Sequence, residues 1–294
     1  MLPIDDNLAR DMLKTFRSKY VLVPGDPFHK HVASKVMDIV GAVVNRRGLL
    51  PPFSMRRMVG EFRWQLMGED FRIQGNHFAQ KLTQDAGLRS DSTVLDLGSG
   101  CGRIAIPLIK ILESTGTYYG LEPIEAMVKW CGAKVTSAFP NFQSCHCDVY
   151  NKVYNPIGTI QPEDFDFPFE SRQFDLIVAT SVFTHLTTKP LERYVTECSR
   201  VLEQGGRLFA SFFLLENGAR SYDGGINFSY VLEPRVAMTI NPSVPEKAIA
   251  YSVDWLLSLF GSHHMQLIPP IRWGCWTGRH PAYSGQDILI LGKS

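Results

Sequence analysis

Two periodicities divide the chain. Up to about residue 90, apolar positions recur at helical spacing: Leu8, Met12, Leu13, Phe16 and Tyr20 share one stripe, and Val32, Val36, Ile39, Val40 and Val43 share a second. Pro24-Gly25-Asp26-Pro27 separates the two, and Pro51-Pro52 stops the second. A third helical stretch through Met55, Met58, Val59, Phe62 and Leu66 precedes a fourth from Phe71 to Ala86, which ends at Gly87. After Ser92 short apolar runs alternate with helical stripes: Val94 to Leu97, then Ile104 to Leu112; Tyr118 to Leu121, then Ile124 to Ala133. That alternation predicts an α/β domain whose parallel sheet carries helices on both faces.

Further strands are expected at Phe142 to Cys145, Phe174 to Ala179, Arg207 to Phe213, Gln266 to Trp273 and Asp287 to Leu291, which makes seven. The last two follow a helix expected over Pro245 to Phe260 and are joined by a loop alone, so they are read as an antiparallel pair at the sheet edge. Two connections are long, Val149 to Gln173 and Glu216 to Val244, a length typical of functional loops. The expected organisation is a helical cap over residues 1–90 and an α/β ligand-binding domain over 91–294 carrying an insert at 216–244.

Composition narrows the function classes. With 45% hydrophobic and 20% charged residues the chain is a folded protein, and its 294 residues suffice for one large or two small domains. Thirty Lys and Arg against 29 Asp and Glu leave a net charge of +1, so no long-range field draws in nucleic acid or an anionic membrane. No apolar run approaches the ~20 residues of a membrane span. The opening MLPIDDNLAR lacks the order of a signal peptide, and six scattered cysteines read as reduced thiols, so a cytoplasmic location is expected.

The densest chemical signal is Val94-Leu-Asp-Leu-Gly-Ser-Gly-Cys-Gly-Arg103, a strand that runs into glycines at 98, 100 and 102 and then into a helix. Such a loop lets a ligand approach the backbone, and the helix start offers free N–H donors. The dinucleotide fingerprint G-x-G-x-x-G needs its third glycine at 103, where this chain has Arg. Glu122 ends the next strand twenty residues beyond Gly102, where a carboxylate can accept both ribose hydroxyls. Asp148, after the third strand, stands where a carboxylate can face an adenine amino group, or simply cap its loop.

These motifs, VLDLGSGCGR, YYGLEP, CDV, FDLIVATSVFTHL and LEQGGRLFASFFL, resemble in content and order those of the class I S-adenosylmethionine-dependent methyltransferases, over about residues 92 to 215. The resemblance implies a doubly wound, Rossmann-like seven-stranded sheet ending in an antiparallel hairpin. It also implies that S-adenosyl-L-methionine is the cofactor. Carried onto this sequence, Asp96, Gly98, Ser99 and Gly100 lie at its methionine part, Glu122 and Pro123 at the ribose, Asp148 and Val149 at adenine, and Thr180 and Ser181 at the methyl-bearing end. SVFTHL after the fourth strand, with Trp276-Thr-Gly-Arg279 and Gln286-Asp287, resembles a bacterial subgroup without a shared acceptor.

Methyl transfer from a sulfonium is an in-line displacement, so positioning carries much of the catalysis and a base is needed only when the acceptor must lose a proton. His185, a short turn after the fourth strand, is the candidate base, against the alternative of a helix cap or a packing residue under the cofactor. Tyr150, Tyr154, Arg220, Tyr222, Tyr230 and Trp273 are further rim residues. Ala179-Thr-Ser-Val-Phe183 replaces the Asn/Asp-Pro-Pro-Tyr/Phe element of nucleobase amino-methyltransferases and holds no Pro-Cys nucleophile. Metal-independent chemistry is expected: no acidic rim cluster is evident, and Cys145-His146-Cys147 alternates faces along a strand. Arg46-Arg47, Arg56-Arg57 and His263-His264 read as solvated surface.

The expected protein is therefore a methyltransferase acting at oxygen or nitrogen of a small-molecule acceptor, with no membrane and no nucleic-acid partner. The competing readings are an RNA or protein methyltransferase, a Rossmann-type NAD-dependent oxidoreductase and a catalytically silent cofactor-binding subunit. The 1–90 region and the 216–244 loop, with Asn217, Arg220, Tyr222, Asn227 and Tyr230 as polar contacts and Gly224-Gly225 as hinge, are expected to cover the acceptor.

Overall fold

The computed structural model describes residues 28–44, 48–59, 68–216 and 226–294. The Leu8 to Tyr20 stripe, Arg46-Arg47, Phe62, Leu66, Asn217, Arg220, Tyr222 and Gly224-Gly225 lie outside these residues.

Three N-terminal helices are α1 (Phe28–Val44), α2 (Phe53–Met58) and α3 (Glu69–Gln84). The α/β domain follows as β1 (Thr93–Leu97), α4 (Ala105–Leu108), β2 (Thr117–Glu122), α5 (Glu125–Cys131) and β3 (Phe142–His146). It continues with β4 (Phe174–Ala179), α6 (Thr188–Val201) and β5 (Leu202–Phe212). After β5 come β6 (Leu214–Leu215), β7 (Tyr230–Glu233), β8 (Ala237–Thr239), β9 (Ile249–Ser252), α7 (Val253–Ser262), β10 (Met265–Leu267) and β11 (Asp287–Lys293).

Seven strands form one sheet in the order β10-β11-β5-β4-β1-β2-β3. The pairs from β3 to β5 are parallel, and β11 runs antiparallel between β5 and β10. The predicted doubly wound sheet with its antiparallel ending is thus present. The antiparallel pair lies at the sheet edge as expected, with β10 outermost and β11 between it and β5. Burial explains that order, since Ile288 to Leu291 are buried on both faces as an interior strand requires.

Alternate residues of each strand feed opposite cores. Leu95, Leu97, Ile177 and Leu208 pack with α6 and α7 on one face, whereas Val94, Leu176, Val178 and Phe209 pack with α3 and α4 on the other. Each such side chain contributes about 1.5–3 kcal/mol by leaving water. The α1 stripe behaves differently, with Val32, Val36, Ile39, Val40 and Val43 all exposed.

Several boundaries differ from the periodicity. The helix expected over Ile104 to Leu112 is regular only over α4, and the one expected over Ile124 to Ala133 ends its α-helical part at Cys131 and continues as a π-turn over Gly132–Thr136. The stretch read as one helix from Pro245 to Phe260 is a 3-10 turn (Pro245–Lys247), then β9, then α7. Together β6, β9, β8 and β7 make a second sheet absent from the sequence reading, closed over Phe213, Phe228 and Trp276. Arg56 is not solvated surface either: it is buried and donates Nη1 to the carbonyl of Pro51 at 2.6 Å.

Candidate active site

The strand order reverses between β1 and β4, and in an open α/β sheet ligands bind beyond the carboxyl ends of the strands at that point. A cavity of about 800 Å³ lies there, reached by Leu97 from β1, Glu122 from β2, Thr180 from the end of β4 and Ser211 from β5. Its other walls are α3 (Gln74, His77, Phe78, Lys81), the β3–β4 connection (Tyr150, Asn151, Tyr154) and the loop Tyr283 to Gln286.

The glycine loop is shaped by backbone that side chains rarely adopt. Gly98 and Gly100 have φ of 63° and 57°. A Cβ at Gly100 would stand 2.6 Å from Val59 Cγ1, and one at Gly98 would stand 2.7 Å from Val182 Cγ2, so the loop, α2 and the β4 turn close on each other only without side chains. Gly98 and Gly100 line the cavity. Ser99 turns away toward Gly120, on the far side of the loop.

Glu122 is buried at the cavity wall. Its Oε2 accepts from Gly100 N at 2.8 Å and its Oε1 from Ile124 N at 2.9 Å, which ties the glycine loop to the end of β2. Burial pushes its carboxyl up to about 7 against those two bonds. Asp96 is also buried and also pushed up to about 7 by burial, opposed by the Tyr118 hydroxyl that donates to Oδ2 at 2.6 Å. Asp96 Oδ1 has no partner among the described residues, nor has Nε of Arg103. Arg103 faces the cavity from the loop's far end, where its Nη1 donates to Val59 O and to Gln74 Oε1, its guanidinium lying over the Phe78 ring.

Pro123, Ile124, Cys147 and Val149 form an apolar strip beside Glu122. Asp148 is turned from the cavity and accepts from Thr159 Oγ1 at 2.7 Å and Asn155 Nδ2 at 3.4 Å. Thr180 and Ser181 line the β4 side. His185 ends the 3-10 turn Phe183–His185, and its Nδ1 lies 2.7 Å from the carbonyl of Glu246. A carbonyl only accepts, so Nδ1 carries the proton and Nε2 holds a lone pair on the cavity side, 3.4 Å from the Tyr154 hydroxyl. Burial lowers the His185 pKa, keeping the ring neutral at physiological pH.

Among the predicted site residues, Gly98, Gly100, Glu122, Pro123, Val149, Thr180, Ser181 and His185 therefore meet in one cavity, and Asp96, Ser99 and Asp148 do not line it. None of residues 226–244 lines it either: Asn227 and Tyr230 are exposed, and the β3–β4 connection with Tyr283 to Gln286 occupies the walls instead. Arg103, Ser211 and Gln286 were not read as site residues. The Gln286-Asp287 pair was the available signal.

Residues 95–210 match the sequence model of a family described as "Methyltransferase domain". An uncharacterized methyltransferase of Anoxybacillus flavithermus is 29% identical over 121 residues, 41% of this chain and 46% of that protein. A ubiquinone/menaquinone biosynthesis C-methyltransferase of Citrobacter koseri is 24% identical over 158 residues, 53% of this chain and 56% of that protein. The chain thus spans about half the length of these curated relatives. The crystal structure of an S-adenosylmethionine-dependent methyltransferase from Aquifex aeolicus shares the fold, with a TM-score of 0.50 and 15% identity over 83% of this chain and 98% of that one. Residues 95–210 are thus similar to a methyltransferase domain, and the sheet has the fold of the Aquifex aeolicus enzyme.

The residues present fit S-adenosylmethionine, on which the Aquifex aeolicus enzyme depends. A buried carboxyl, Glu122, faces the cavity for a ribose, and Arg103, whose buried Nε has no partner among the described residues, lines it for the carboxylate of an amino acid end. Cys145, His146 and Cys147 do not converge: His146 is exposed with Nε2 3.2 Å from the Pro123 carbonyl, while Cys147 is buried.

Proposed function

We propose that the whole chain is an S-adenosylmethionine-dependent methyltransferase that methylates an oxygen or nitrogen of a small molecule in the cytoplasm, without a metal. The observation that carries this reading is the single cavity that joins the glycine loop and Glu122 to His185 and Tyr154. Its volume of about 800 Å³ falls in the range of small-molecule sites, ~300–1,000 Å³. SVFTHL and the Trp276 to Asp287 pattern support a place in the bacterial subgroup that the chain resembles. The 1–90 region acts as the cap, which is supported by Arg57, Met58, Val59 and side chains of α3 lining the cavity.

In this reading Glu122 accepts from the ribose hydroxyls, and Pro123, Ile124, Cys147 and Val149 hold the adenine ring. Arg103 takes the carboxylate of the methionine part, and Asp96 acts on that part only from behind the glycine loop that it precedes. Asp148 acts at adenine only through the loop that it caps. The bound cofactor supplies an electrophilic methyl group on a sulfonium. Thr180 and Ser181 flank that end, and the cavity walls exclude water and align the acceptor for in-line attack. His185 Nε2, fixed by the bond from Nδ1 to Glu246, takes the acceptor's proton directly or through the Tyr154 hydroxyl.

A second reading, transfer to carbon, is supported by the C-methyltransferase relatives, and the same base serves it by ionising a hydroxyl that conjugates to the attacking carbon. Incubation with methyl-tritiated S-adenosylmethionine and, in parallel, a low-molecular-mass cell extract, bulk tRNA and total protein tests the proposal. Label is expected in the low-mass fraction. Label confined to RNA or protein contradicts it. Once a product is isolated, the position of the label separates oxygen, nitrogen and carbon, and His185→Ala should lower turnover about 10²-fold or more at unchanged S-adenosylhomocysteine affinity.

A further inference from the structure

The Trp276-Thr-Gly-Arg279 and Gln286-Asp287 pattern has no part in the cofactor contacts proposed above, yet it braces one wall of the cavity and contributes Gln286 to its lining. Asp287 is buried and its carboxylate accepts from Leu214 N at 2.9 Å, Gly274 N at 2.6 Å and Trp276 Nε1 at 2.5 Å. Cys275 N donates to Ser284 O at 2.9 Å and Trp276 N to Gly285 O at 3.1 Å, so the two segments are laced on both sides of Gln286. The approach is close enough that a Cβ on Gly274 would stand 2.4 Å from the Gln286 carbonyl carbon.

The side chain of Gln286 is fixed as firmly as its backbone. Ser181, held at a φ of 57°, donates its N–H to Ser211 Oγ at 2.7 Å. The Ser211 hydroxyl hydrogen goes to Gln286 Oε1 at 2.6 Å, and the Ser181 hydroxyl reaches the same oxygen at 3.0 Å. Two donors on Oε1 decide the amide's orientation: the oxygen meets the serines, and Nε2 keeps both hydrogens, for which the described residues offer no acceptor. Gln286, Ser181 and Ser211 all line the cavity on the β4–β5 side, the side of the methyl-bearing end in the reading above.

We propose that Gln286 is the residue by which the cavity selects its acceptor: its amide N–H groups donate to a carbonyl or carboxylate oxygen on the molecule to be methylated. The inference rests on the reading of this cavity as the methyl-transfer site. Lys81, from the α3 wall of the same cavity, supplies charge, and its Nζ donates to the carbonyl of Tyr283 in the Gln286 loop at 2.5 Å. A positive charge in the same cavity as two unpaired donors favours an oxyanion and disfavours a cation or a donor-only group. Because the donors are held rigid from both sides, an acceptor without the matching oxygen leaves them unpaired and is rejected.

Benzoate and benzylammonium, similar in size and opposite in hydrogen-bonding character, are the probes, measured by saturation-transfer NMR on protein loaded with S-adenosylhomocysteine. Benzoate should bind and benzylammonium should not. Gln286→Leu should weaken benzoate about 10-fold or more, as expected for loss of a hydrogen bond to a charged group. Gln286→Glu, which keeps the shape and removes the donors, should weaken benzoate further and admit benzylammonium. S-adenosylhomocysteine affinity, measured by calorimetry on each variant, should stay within 2-fold (about 0.4 kcal/mol) of wild type, which also reports folding. Equal benzoate affinity in wild type and both variants, or no benzoate binding to the loaded wild type, overturns the role of Gln286 and leaves the methyltransferase reading intact. Failure of the wild type to bind S-adenosylhomocysteine overturns both.

Discussion

Glu122 shows how one side chain serves fold and ligand together. Its two backbone bonds hold Gly100 and Ile124, and its burial raises its pKa to about 7, above the ~4.3 of an unfolded chain. A raised carboxyl contributes stability that is complete below the unfolded value and is lost as pH rises through the folded one. Relative to Glu122→Gln, the ligand-free wild type should therefore gain unfolding free energy as pH falls from 8 to 6, measured by denaturant midpoints. Comparison with the variant removes the opposing effect of His185 and His263, whose lowered pKa values make folding less favourable as pH falls through about 6.5. A difference that is flat across this range contradicts the assignment. Glu122 was legible in the sequence because a strand end and a fixed offset from the glycines define it. Gln286 was not, because its role depends on two serines 75 and 105 residues away in the chain.

The elements divide along the same line. β1, β2 and β4 were legible because each is a short, largely buried apolar run punctuated by Gly, Pro or polar turns, as is Leu208–Phe212 of the longer β5, while β3 at the sheet edge is exposed at Gln143 and His146 and was legible from its place in the alternation. β9 was hidden for a physical reason: Ile249–Ser252 runs into α7 without a turn, so its apolar residues merge with the helical stripe of Val253 and Leu256. Ser252, the helix cap that accepts from Trp255 N, marks the boundary. β7 escaped because it is largely exposed and offers no alternation. The clamp that joins this second sheet to the main one is Asp287, which makes a strong prediction. Asp287→Ala leaves three buried or partly buried donors unpaired at about 1–3 kcal/mol each, so unfolding free energy should fall by about 3 kcal/mol or more. A loss below about 1 kcal/mol would show that the clamp is not structural. In the glycine loop, Gly100→Ala forces a Cβ to within 2.6 Å of Val59 and strains a left-handed backbone, at roughly 1–2 kcal/mol for the backbone alone. Cofactor affinity should fall with stability, seen by calorimetry and thermal melting together.

At the scale of the molecule, the near-neutral charge and the cavity point to the same class of acceptor. No helix among the described residues is long and apolar enough to cross a membrane. No group of three or more His, Cys, Asp or Glu among them is placed to hold a metal ion. The proposed displacement at a sulfonium carbon needs no Lewis acid, so turnover, once an acceptor is in hand, should survive EDTA; loss that magnesium or zinc restores contradicts this. The domain as a whole was legible from motif order, while the acceptor walls were not, because they come from α3, the β3–β4 connection and the Tyr283 to Gln286 loop, which meet only in three dimensions.

The central claim, that this cavity holds S-adenosylmethionine with Glu122 on its ribose, is tested most directly by calorimetric titration of S-adenosylhomocysteine and, separately, of NAD into wild type and Glu122→Ala. The account predicts saturable binding of S-adenosylhomocysteine, weakened about 10-fold or more in the variant by loss of charge-assisted hydrogen bonds, and no comparable binding of NAD. Tighter binding of NAD, or S-adenosylhomocysteine affinity that Glu122→Ala leaves unchanged, would contradict it.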